Sequence, residues 1–138
     1  LADDGGLSKL QKRFAAIPED VRQAGARSAL KQAEAMAATM RRLAPEDSGD
    51  LRDSITVTPG GQSTPRYSQP GGSSVVPENA AAVTVGNSDV RYPHLVEYGT
   101  AKAPAQPYFW PAVRLHNKKA KAAIKSAIRR AVKKRGTS

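Results

Sequence analysis

The sequence predicts an α+β fold: a small antiparallel sheet of three to four strands packed against two long helices, with a long projecting loop or hairpin. Three observations predict it. Two long stretches carry apolar side chains at helical spacing, two short stretches alternate apolar and polar residues, and a Gly/Pro/Ser-rich segment separates the short ones. The 138 residues make one expected domain, since a single core commonly serves about 100–150 residues.

Taken in order, Leu7, Leu10, Phe14 and Ile17 recur at spacings of three and four, as on one face of a short helix that Pro18 interrupts. Pro18 suits the first turn of a second helix, where Glu19 and Asp20 complement the positive end of the helix dipole. From Pro18 to Leu43 the apolar stripe is Val21, Leu30, Ala33, Ala37, Met40 and Leu43, with Arg22, Lys31, Glu34 and Arg41 largely off it. A helix of that length extends about 39 Å at 1.5 Å per residue, enough to cross the whole domain. Pro45 disfavours helical geometry at Ala44, and Ser48-Gly49-Asp50 supplies a turn in which Gly49 tolerates positive φ.

The period then changes to two. Ile55 and Val57 alternate with Ser54, Thr56 and Thr58, and residues 81–85 read the same way, so both are expected strands. Between them, residues 59–78 are dominated by Gly, Ser, Pro and Gln, the composition of a projecting or flexible loop or a long hairpin. Tyr92 to Thr100 reads as a short helix begun at Pro93 and ended at Gly99. After Pro107 comes a second long stripe, Phe109, Val113, Ala120, Ile124, Ala127, Ile128 and Ala131, followed by a basic tail at 133–138.

Charge is unevenly placed. Residues 1–97 hold eleven basic and twelve acidic side chains, whereas residues 98–138 hold eleven basic and none acidic. A near-neutral body thus carries a basic C-terminal helix, whose Arg114, Lys118, Lys121, Lys125, Arg129 and Lys133 lie mainly off the apolar stripe and are candidates for contact with DNA or an acidic partner. No aromatic side chains are interleaved there, so any nucleic-acid contact is expected at phosphates and without sequence readout.

The absence of Cys excludes disulfides, thiol catalysis and thiolate metal sites. No run approaches the ~18 apolar residues of a membrane span, and Leu1-Ala2-Asp3-Asp4 is acidic where a secretory signal is basic, so a soluble intracellular protein with no membrane contact is the expectation. His94 and Glu97 are the one acid–base pair spaced to share a helical face, but such pairs arise often by chance, and the other histidine, His116, lies in the basic helix. No nucleophile elbow, phosphate loop or dinucleotide fingerprint is present, and neither catalysis nor a metal or cofactor is expected. Tyr108-Phe109-Trp110 cannot all face one side of a helix, which makes Tyr108 and Trp110, together with Tyr67 in the long loop, candidate interface residues.

Two segments in order resemble a known family. Leu43-Ala44-Pro45 followed by Ser48-Gly49-Asp50-Leu51-Arg52-Asp53-Ser54-Ile55 is the first, and Tyr92 with Val96-Glu97-Tyr98-Gly99-Thr100, then Ala105-Gln106-Pro107-Tyr108-Phe109 and Pro111-Ala112, is the second. Both resemble motifs of the small tail-component proteins of long-tailed bacteriophages, the gene-product-ten-like tail-completion or neck family. Pro45, Gly49, Leu51, Arg52, Ile55, Glu97, Tyr98, Gly99, Thr100, Gln106, Pro107 and Phe109 are the positions that carry the likeness. The resemblance implies a structural virion protein of the head–tail junction, assembled in the bacterial cytoplasm as a ring, hexameric or similar, around the DNA channel. It also implies neighbouring neck and tail proteins as partners. A tail-terminator ring is the alternative within that class, and a non-specific nucleic-acid-binding accessory protein the alternative outside it. Glu97 is expected to pair with a basic residue such as Arg52 or Arg114 and so order the junction between strand and helix.

Overall fold

The computed structural model describes residues 9, 12, 16–47 and 49–136. Leu7, Leu10 and Phe14 of the expected first helix, Ser48, and the last two residues of the basic tail lie outside the described residues.

Helix α1 runs Glu19–Leu43, one residue later than expected: Pro18 stands just outside it at φ −55° and ψ 144°, and its carbonyl accepts the Val21 and Arg22 amides. The acidic first turn and the basic Arg41 and Arg42 at the other end both suit the helix dipole. Pro45 pushes Ala44 into extended geometry at φ −63° and ψ 147°, which ends the helix. Leu43 does not join the buried stripe; it is 45% exposed, and the core position falls instead to Ala44.

Next comes α2, Gly49–Asp53, which replaces the expected turn. Gly49 is not in the left-handed region; it opens the helix and lets Leu51 and Ile55 enter the core. Strands β1 (Thr56–Pro59) and β2 (Ala81–Thr84) pair antiparallel with Thr56 opposite Thr84 and Val57 opposite Val83. Among the described residues the sheet therefore has two strands rather than three to four. Further pairing is limited to isolated bridges, Ser63 with Val75 and Gln69 with Val85. Pro59, Pro65, Pro70 and Pro77 punctuate this stretch, and a residue without an N–H cannot extend a ladder.

The stretch between the strands has its own order. Gly61 and Val76 donate to the carbonyls of Val76 and Gln62, both at 2.8 Å, and Thr64 donates to Ser74 at 2.9 Å, giving a short hairpin. Gln69 and Val85 exchange both backbone hydrogen bonds, which brings the distal part back to the end of β2.

Short helix α3 (Pro93–Tyr98) and long helix α4 (Phe109–Gly136) complete the element order. Helix α4 packs antiparallel on α1. Thr39 Oγ1 lies 2.6 Å from His116 Nε2, Gly25 faces Ile128, and Arg135 pairs with Asp20 at 2.6 Å. The core sits at one end of this helix pair, where Ala37, Met40 and Ala44 of the α1 side meet Leu51, Ile55, Val85, Val90, Tyr108, Phe109 and Ala112. Towards Asp20 and Arg135 the pair extends beyond the sheet, and α4 contributes no fully buried side chain after Ala112.

Candidate functional site

Helix α4 begins without local help. Its first turn has no acidic residue, and Gln106-Pro107-Tyr108 places no Ser, Thr, Asp or Asn where a cap would stand. The partner comes from α3. Glu97 Oε1 accepts the amides of Tyr108 at 3.0 Å and Phe109 at 2.9 Å, and Oε2 accepts that of Trp110 at 3.2 Å. With Glu97 only 6% exposed, its charge lies against the positive end of the α4 dipole in a buried setting.

This corrects the expected ion pair. Glu97 spends its oxygens on backbone amides, not on Arg52 or Arg114. Arg52 Nη2 donates to the Ala44 carbonyl at 3.2 Å, so it ties α2 to the end of α1. The sequence signal for the cap, missed by pairing Glu97 with arginines, is the missing local cap after Pro107 beside a glutamate in a preceding short helix.

The remaining motif residues build the frame around that cap. Gly99 ends α3 at φ 79°, where a Cβ would stand 2.7 Å from the Ala105 nitrogen, so a side chain there collides with backbone. Thr100 Oγ1 accepts the Ala103 amide at 3.1 Å, and Gln106 N donates to the Val96 carbonyl at 2.8 Å, which returns the chain to α4. Ser54 ties the first motif to the chain just after β2: its hydroxyl donates to Leu51 O at 2.7 Å and accepts the Gly86 amide at 3.1 Å. Pro45 is half-buried after the end of α1, while Pro107 is exposed ahead of α4.

The aromatic triplet divides sharply. Tyr108 is 0% exposed and its hydroxyl donates to the Pro93 carbonyl at 3.2 Å. It belongs to the core, a correction to its place among the interface candidates: the turn entering α4 directs residue 108 inward. Burial, then the nearby Glu97 charge and Tyr92, push its phenol above the ordinary value, so it remains a donor. Phe109 is buried beside it, and Trp110 packs edge-on to Phe109 at 5.0 Å while remaining 37% exposed. Trp110 Nε1 donates to the Tyr98 hydroxyl at 2.7 Å, and Tyr98 is 68% exposed. Tyr92 and Leu95, also exposed, continue this face along α3. Tyr67 is exposed in the long loop, with the Arg91 guanidinium 3.6 Å from its ring centre.

His94 and Glu97 line a small cavity of about 80 Å³ under Tyr98 and Trp110. His94 Nδ1 lies 3.1 Å from Gln69 Nε2 and is exposed, so the histidine bridges α3 to the long loop while Glu97 serves the helix end. Arg114, Lys118, Lys121, Lys125, Arg129 and Lys133 are all exposed on α4, in a row that starts one turn after Trp110 and is turned away from α1.

A family profile described as "Bacteriophage HK97-gp10, putative tail-component" matches residues 8–99. The chain belongs to this family. The match takes in the first motif, the sheet and α3, and ends on Gly99, so Glu97 lies inside it while the amides it caps and the whole of α4 lie outside. Membership in the HK97-gp10 family gives the protein a structural role as a bacteriophage tail component, and a virion location with it. No curated protein and no solved structure matches the chain. Among the described residues, no helix is long and apolar enough to cross a membrane.

Proposed function

We propose that this tail component acts at the head–tail junction as a tail-completion or neck subunit, and that it does so as a closed ring around the DNA channel. The observation that carries the reading is the exposed face of Tyr92, Leu95, Tyr98 and Trp110, set on a frame that Glu97 holds from below. Contiguous exposed apolar side chains on a small domain are characteristic of a surface that meets another protein. A closed ring needs two different complementary patches on each subunit. The aromatic face of α3 and α4 is one, and the exposed loop surface around Tyr67 and Val75 is the other.

The role is architectural rather than enzymatic. Glu97, the buried carboxylate, accepts three backbone amides and is occupied in holding the fold. Electron microscopy of particles assembled without this gene tests the proposal. Tailless heads beside complete free tails are expected for a joining subunit, whereas tails of excess length assign the protein to tail termination instead.

A further inference from the structure

We propose that the solvent face of α4 is a binding surface for the phosphate backbone of duplex DNA, read without regard to sequence. Arg114, Lys118, Lys121, Lys125, Arg129 and Lys133 follow one another at steps of four, three, four, four and four, so they form one continuous row within about a third of the helix circumference. The row runs about 28 Å at 1.5 Å per residue, with neighbouring cations about 6 Å apart. All six side chains are exposed, none forms an ion pair among the described residues, and α4 has no acidic residue to neutralise them. Lys118, Lys121, Lys125 and Arg129 already border a shallow surface groove.

The shape of the row selects the partner. Duplex DNA carries one charge per ~3.4 Å on each strand and is straight over distances far beyond this row, so rod meets rod with neither backbone needing to be reordered. A single strand is normally gripped by stacking aromatics, and α4 has none after Trp110. A second copy of the chain fits less well. Its exposed carboxylates Glu46, Asp47, Asp50 and Asp53 gather around α2, a five-residue helix about 8 Å long that matches only a step or two of the row. The assignment stands on α4 and not on the ring reading, so a free protein and a ring subunit are equally able to satisfy it.

The test is fluorescence anisotropy of the full-length protein with labelled duplexes of two unrelated sequences. Equal affinity for both is expected, with a log–log salt slope of about −5 for six phosphate contacts, a loss of about 10³-fold between about 50 and 200 mM salt. Lys121→Gln with Lys125→Gln flattens the slope by about 1.8, whereas Lys102→Gln, on the loop before α4, leaves it unchanged. Circular dichroism confirms that the variants fold, as substitutions of exposed side chains should. Absence of duplex binding at the lowest salt overturns the proposal. So does tighter binding to single-stranded than to duplex DNA, an equal effect of Lys102→Gln, or row variants that abolish self-association while leaving DNA affinity intact.

Discussion

Glu97 Oε1 accepts the Phe109 amide at 2.9 Å, so the start of the 28-residue helix α4 is closed by a carboxylate twelve residues upstream, on a different helix. The same side chain also holds the amides of Tyr108 and Trp110. One residue therefore joins α3, which carries exposed Tyr98, to the helix that carries Trp110 and the basic row.

Removing that carboxylate leaves three amides without their partner at a buried helix end. Glu97→Ala is expected to cost about 3 kcal/mol, since hydrogen bonds to charged groups contribute about 1.5–3 kcal/mol and a cap about 1 kcal/mol. For a chain of this length that lowers Tm by roughly 10 °C, and Glu97→Gln, which keeps one acceptor oxygen but loses the charge and the second acceptor, by less. Thermal denaturation checks it, and an unchanged melt for the alanine variant refutes the cap.

Stability should fall at alkaline pH through Tyr108. Burial raises its phenol pKa in the folded state, so once pH passes about 10 the unfolded tyrosine ionises first and binds fewer protons than the native one. The contribution is intact below that point and declines by about 1.4 kcal/mol per pH unit above it. Urea titrations from neutral to alkaline pH should show Tyr108→Phe losing stability less steeply than the parent. Parallel curves count against the assignment.

Gly99→Val meets two obstacles: a φ of 79° that β-branched residues avoid, and a Cβ 2.7 Å from the Ala105 nitrogen. The backbone has no flexible side chain to yield there, so a loss of about 3 kcal/mol or more is expected in chemical denaturation. If the variant unfolds at the parental midpoint, the turn is not as described.

Gly25 sets how closely α1 approaches α4. A Cβ at this position would already lie 3.3 Å from Ile128 Cγ1, so Gly25→Leu overpacks the crossing and should cost about 1–3 kcal/mol. Adding Ile128→Ala opens space opposite and should recover part of that loss. A double-mutant cycle showing simple additivity would mean the two positions do not touch.

At the surface, Tyr98→Ala should change stability by no more than about 1 kcal/mol, because this exposed side chain loses only its bond to Trp110. Incorporation into particles is nevertheless expected to drop. Complementation of a gene-deleted phage with wild-type yield from Tyr98→Ala would remove this face from the proposed ring contact.

Much of this molecule is legible in its linear order. Pro18 and Pro45 bracket α1, Gly99 stops α3, and the spacing of cations on α4 puts them on one exposed row, because each feature depends on φ restrictions or on a helical period that neighbouring residues set by themselves. The family motifs are equally local. What needed the folded chain was the meeting of parts remote in sequence. Tyr108 turns into the core and Trp110 outward, Glu97 caps amides eleven to thirteen residues away, and the strand pairing among the described residues stops at two. A side chain's periodicity states which face it shares, but only packing between distant elements decides what that face meets.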